Sequence, residues 1–100
     1  MKIRILPSAM ADLEKGRDFY EEQGQGLGAY FMDALFSDID SLVLYGGIHS
    51  LHWGFHRLLS KRFPYAVYYR MNPDTIEIWR LLDCRQRSAK TRRALKESSS

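Results

Sequence analysis

Apolar and polar positions alternate from Lys2 through Ile3, Arg4, Ile5 and Leu6. That is the period of a strand with one buried face, and Pro7 ends it because proline gives the ladder no donor. The period then lengthens. Ala9, Leu13, Gly16 and Tyr20 form a stripe at helical spacing, with Ser8 as the expected N-cap and Asp12 and Glu14 early enough to favour the helix dipole. Asp12, Lys15, Asp18 and Glu22 make the polar side, and Gln23-Gly24-Gln25-Gly26 stops the helix. A second helix is predicted from Leu27 to Leu44, with Leu27, Phe31, Leu35, Ile39 and Leu42 as its stripe and Asp33, Ser37, Asp38 and Ser41 off it. The turn between the helices is so short that they should form an antiparallel hairpin.

Beyond Gly46-Gly47 the period shortens again. Residues 55–59, 65–70 and 76–82 are rich in aromatic, β-branched and long apolar side chains and predict three strands. Lys61-Arg62-Phe63-Pro64 and Met71-Asn72-Pro73-Asp74 are the turns between them, short enough to make the strands antiparallel. The first strand joins only after the helical hairpin, so it is free to pair in parallel with a later one. Tyr65, Val67 and Tyr69 share the face expected under the helices; Ala66, Tyr68 and Arg70 share the other. Residues 86–96 are a short basic helix or a mobile end. The reading is an α+β fold, β-α-α-β-β-β with a short C-terminal helix as an option, the hairpin lying on one face of a small, mostly antiparallel sheet. Residues 1–97 are read as one domain and 98–100 as a disordered tail.

Charge changes this picture only at the C-terminal end. The 100-residue chain carries a formal net charge of +3, yet Arg85, Arg87, Lys90, Arg92, Arg93 and Lys96 follow one another with no acid among them. A basic end on a near-neutral body suits an acidic or polyanionic partner, or a solvated helix face. Cys84 is the single cysteine, which excludes an internal disulfide and a multi-cysteine metal site. The amino terminus is too short and polar for a signal peptide, and no run is long enough for a membrane span, so a cytoplasmic protein with no membrane partner is expected. His49, His52 and His56 are read as loop and strand residues rather than ligands; no metal or cofactor is expected. The His52-Trp53-Gly54 stretch is expected to cover one end of the core.

The stretch from Arg57 through Lys61-Arg62-Phe63-Pro64-Tyr65 to Tyr69-Arg70, followed by residues 76–87 with Trp79-Arg80 and the Arg85/Arg87 pair, is similar to the core of RelE/ParE toxins. Leu13 with Phe19-Tyr20, and the glycine-opened helix with Phe31 and Ile39, resemble that family's helical hairpin; the likeness covers roughly residues 2 to 87. It implies the toxin half of a bacterial type II toxin–antitoxin pair of the plasmid-stabilisation type. The implied partners are a cognate antitoxin, in a heterotetramer or larger complex, and a target. ParE-like members poison DNA gyrase; RelE-like members cut messenger RNA on the ribosome.

Metal-independent RNA cleavage needs a base for the 2′-hydroxyl, cations for the phosphorane and an acid for the leaving oxygen. Arg57, Lys61 and Arg80 are the candidates for the catalytic cations if the chain is an endoribonuclease. Ribonuclease members of the family place a Tyr or His after the last strand; this chain has neither beyond Trp79, and Asp83 is a poor proton donor. Binding is therefore favoured over catalysis. Arg62, Tyr68, Arg70, Arg85 and Arg87 are expected to contact the target, with Tyr68 and the arginines as an aromatic-plus-basic surface. The expectation is a ParE-like gyrase poison; the alternatives are a ribosome-dependent endonuclease and a non-toxic antitoxin-binding module.

Overall fold

The computed structural model describes residues 1–99. Lys2–Ile5 form β1, and Leu6 closes it by donating its backbone N–H to Ile78 O. The helix α1, Pro7–Gln23, is capped at Leu6 and so starts two residues earlier than a Ser8 cap allows. Pro7 occupies the first turn, where its missing N–H costs nothing. The Ser8 hydroxyl donates instead to Trp79 O at 2.7 Å, tying the helix start to the sheet. Ala9, Leu13 and Gly16 are buried as the stripe predicts, with Tyr20 half-buried. Asp12 departs from its predicted solvent side, for a reason given below.

Glu21 joins α1 to α2, Leu27–Asp40. Its carboxylate accepts from Gly28 N at 2.9 Å and Gly26 N at 3.2 Å, an anion on the positive end of α2. Gly26 takes φ 87° there, a conformation that favours glycine. The predicted single helix to Leu44 breaks at Ser41, whose hydroxyl bends back to Asp38 O, and a short α3, Leu42–Tyr45, follows. Asp38 is not on an exposed side. It is buried and accepts from Ser60 Oγ at 2.6 Å, anchoring α2 to the sheet.

The sheet has five strands where four were expected. β2, Leu51–His52, is a two-residue addition that pairs with β3, Phe55–Leu59. β4, Tyr65–Met71, and β5, Thr75–Asp83, complete the order β1-β5-β4-β3-β2. β1 runs parallel to β5 and all other pairs are antiparallel. Pairing slips between Tyr68, opposite Arg80, and Tyr69, opposite Ile78. Trp79 is the extra residue of this bulge, so Ile78 and Leu81 both reach the helix side.

α1 and α2 bury Leu13, Phe31, Leu35 and Ile39 against Val67, Tyr69, Ile76 and Ile78. The opposite sheet face is also covered. α4, Ser88–Ser99, is a helix and packs Leu95 onto Phe55, Ala66, Tyr68 and Leu82. Ser98 and Ser99, assigned from sequence to a tail, close α4, and the Ser98 hydroxyl donates to Ala94 O; Ser100 lies outside the described residues.

Candidate functional site

Three of the residues singled out from sequence form a cross-strand row. Arg57 on β3 lies opposite Tyr68 on β4, which lies opposite Arg80 on β5. The row sits beneath α4 rather than on an open surface, and Tyr68 is only 4% exposed. Burial raises the Tyr68 phenol above its ordinary pKa, with Arg57 opposing. The Nε of Arg57 and Nε1 of Trp79 are buried with no hydrogen-bond partner among the described residues. Two such donors mark the least satisfied part of the molecule. Arg70, two residues along from Tyr68, stacks its guanidinium over Phe55 at 4.1 Å and Trp79 at 4.9 Å. Its Nε donates to Gly54 O at 3.4 Å.

Arg80 is locked in place. Its Nε and Nη2 donate to the two oxygens of Asp12 at 2.7 and 3.0 Å, a planar fork on a carboxylate. Nη1 reaches Ala94 O at 3.3 Å and Ser98 Oγ at 3.0 Å on α4. Asp12 also accepts from Leu81 N at 3.0 Å. β1 pairs with β5 only through Ile78, so Asp12 satisfies a strand N–H that no neighbouring strand reaches. Asp12 thus takes a ligand from the sheet instead of serving the helix dipole.

The other predicted residues lie elsewhere. Arg85 is exposed and folds back on Asp83, with Nε–Oδ1 at 3.0 Å and Nη2–Oδ2 at 2.7 Å, which holds Asp83 below the usual carboxylate range. Near them, Tyr65 is pushed up to about 12 by burial and by Asp83. This group opens on a cleft of about 490 Å³ between α1 and α4, lined among others by Lys15, Phe19, Tyr65, Arg80, Arg85 and Lys90. Arg62 donates to the Tyr30 hydroxyl at 3.0 Å; Lys61 is exposed in the same β3–β4 turn, away from the row. Arg87 is exposed just before α4, where its carbonyl accepts from Lys90 N and Thr91 N.

One signal goes unread in the sequence and another, Trp53, points the wrong way. Arg92, Arg93 and Lys96 are exposed along α4, while Thr91 and Leu95 are buried, a four-residue step within residues 86–96. Trp53 does not cover the core. It stands 45% exposed at the tip of the β2–β3 hairpin, beside α4.

The histidines diverge. His52 Nε2 meets Ser50 Oγ at 3.1 Å, while His56 Nδ1 donates to His49 O at 2.7 Å. The Tyr69 hydroxyl accepts from Gly47 N at 3.0 Å and lies 2.5 Å from His49 Nδ1, to which it donates when His49 is neutral with its proton on Nε2. Burial, then the neighbouring His56, lowers the His49 pKa below 6.5. The folded state thus prefers neutral His49 more than the unfolded chain does. Its contribution is complete above pH 6.5 and is lost as pH falls from there through the lowered folded pKa. Thermal unfolding at pH 8 and 5.5 should show a drop that His49→Gln reduces. An identical drop in that variant removes His49 as the cause.

The model of the ParE toxin family, "ParE toxin of type II toxin-antitoxin system, parDE", matches residues 3–88. Among solved structures, a chain of a chromosomal ParDE toxin–antitoxin system from P. aeruginosa superposes with a TM-score of 0.71 at 23% identity. The match covers 81% of this chain and 92% of that one, and it speaks for the fold. No curated protein matches.

Proposed function

The chain belongs to the ParE toxin family of type II toxin–antitoxin systems, and from that premise we propose that it arrests growth by binding and poisoning DNA gyrase in the cytoplasm. The observation that carries this reading is the state of the Arg57–Tyr68–Arg80 row. Arg80 is forked onto Asp12, Tyr68 is buried under α4, and the phenols of Tyr68 and Tyr65 are both raised, so neither is a ready base at neutral pH. The exposed basic run from Arg85 to Lys96 suits a target that carries DNA. No helix among the described residues is long and apolar enough to cross a membrane.

A cognate antitoxin neutralises the toxin in this reading, in a heterotetramer or larger complex. The exposed run of Val43, Leu44, Tyr45, Ile48 and Leu51 supports a protein partner, since Leu44 is 79% and Ile48 73% exposed. Lone surface apolar residues need no account, but five within nine positions do.

The test is controlled induction in a bacterial host together with a supercoiling assay on purified gyrase. Growth arrest with DNA breaks, intact messages and inhibited supercoiling is expected, reversed by the antitoxin encoded beside it. Cuts within translated codons during arrest move the assignment to a ribosome-dependent endonuclease. Folded chain without arrest leaves an antitoxin-binding module.

A further inference from the structure

We propose that Trp53 and the exposed basic side of α4 form a binding surface for single-stranded DNA. The indole stacks on an unpaired base, and Arg92, Arg93 and Lys96 hold the adjoining phosphates. The choice of DNA over RNA rests on the gyrase reading; the surface itself does not.

Trp53 carries the case. It is the non-glycine residue with positive φ among the described residues, at 53°, followed by Gly54 at 85°. A two-residue hairpin turn with both central residues at positive φ favours Asn-Gly or Asp-Gly, and a bulky side chain there is strained. Strain held at an exposed position motivates a functional reading. The turn is also braced. Arg70 bonds to Gly54 O and stacks on Phe55, and Phe55 meets Trp79 edge-on at 5.6 Å. The hairpin tip is fixed to the sheet while its indole stays open to solvent.

The neighbours supply the complementary charge. Trp53, Ser88, Ala89 and Arg92 line a shallow depression of about 200 Å³. Ala89 and Arg92 also border a second one, continued by Arg93 and Lys96. The aromatic face and three cations therefore follow one path along α4, and Arg92 and Lys96 are roughly 6 Å apart along the helix axis. A flat aromatic beside a cationic track is how sequence-tolerant single-strand binding is built. An acidic protein surface would use the cations but give the indole no flat partner. A continuous duplex keeps its bases stacked away from it.

Fluorescence anisotropy with labelled oligo-dT and the purified full-length chain, between 50 and 200 mM salt as a roughly fourfold span suited to such slopes, tests this without gyrase. Three phosphate contacts predict a log–log salt slope of about −2, since single strands give about 0.7 per contact. Trp53→Asn fits the turn better than Trp, so it should fold at least as well. Loss of one stacked base predicts roughly tenfold weaker binding with the slope unchanged. Arg92→Ser with Arg93→Ser should flatten the slope by about 1.4. Undetectable oligo-dT binding at the lowest salt overturns the proposal, as does unchanged affinity in folded Trp53→Asn. Tighter binding to oligo-U, to a blunt duplex or to polyglutamate overturns the assignment of ligand. Any of these leaves the supercoiling assay as an independent measure of the gyrase reading.

Discussion

Asp12→Ala should lower the unfolding free energy by about 3 kcal/mol, the range for removing one partner of a buried ion pair. Asp12 accepts three hydrogen bonds, two from Arg80 and one from Leu81 N. Its side chain is 13% exposed and that of Arg80 21%, so solvent replaces little of what is lost. The variant leaves a half-buried guanidinium without its counter-ion and a strand N–H without an acceptor. In a domain of this size the fall in melting temperature should be roughly 15 °C. Because Arg80 also binds Ala94 O and Ser98 Oγ, the loss should extend to α4. Hydrogen exchange should therefore quicken over residues 91–98 more than over α2. Arg80→Met in the Asp12→Ala background removes the stranded charge and should recover part of the stability. Asp18→Ala, on the exposed side of α1 and paired with adjacent Arg17, is the control and should move stability by less than about 0.5 kcal/mol. A melting temperature for Asp12→Ala within 3 °C of the parent, on the roughly 4–8 °C per kcal/mol scale of such domains, contradicts the assigned role.

Asp12 also shows where the sequence stops being legible. Period and turn chemistry placed β1, α1, the hairpin and the three long strands, because each is a local pattern repeated over several residues. The parallel option for β1 followed from its separation from the other strands, and β1 does pair parallel with β5. The Asp12–Arg80 fork joins residues 68 apart, and no local period records it. On the helical stripe Asp12 reads as solvated because the stripe shows only which face α1 turns to the core, not what arrives at its flank. Asp38 fails in the same way: its partner, Ser60, comes from another element.

The site residues divide on the same principle. Arg57, Tyr68 and Arg80 were picked as members of apolar strands, and the register does align them. Their exposure depended on what covers the second sheet face, and α4 covers it with Leu95 and Thr91 as its buried residues. Two buried positions in twelve residues are a faint signal beside the four basic ones of the same helix. Trp53 was legible as a large side chain before a glycine, but its direction follows from the turn's backbone, fixed by β2 pairing with β3.

Gly16→Ala should destabilise the protein by about 2 kcal/mol, although the same change in an exposed helix interior gains about 1 kcal/mol. A Cβ at position 16 would lie 2.5 Å from Phe31 Cζ and 2.6 Å from Cε2. The contact is tolerable only if the ring can give way. Phe31 is fully buried, and Tyr20 stacks against it with centroids 5.1 Å apart. Phe63 and Tyr65 close on it edge-on at 5.0 and 5.1 Å. With its neighbours fixed, the ring can move only by pushing α1 from α2 or leaving its rotamer, and overpacking of this kind costs about 1–3 kcal/mol. Gly16→Val should cost more, since it adds two methyl groups and a β-branched penalty in the helix. Phe31→Leu makes room, so it should reverse the sign: in that background Gly16→Ala should be neutral or stabilising. The double-mutant cycle by denaturant unfolding measures this coupling directly. Additive effects would mean that the clash is relieved elsewhere and that Gly16 does not set the approach of α1 to α2.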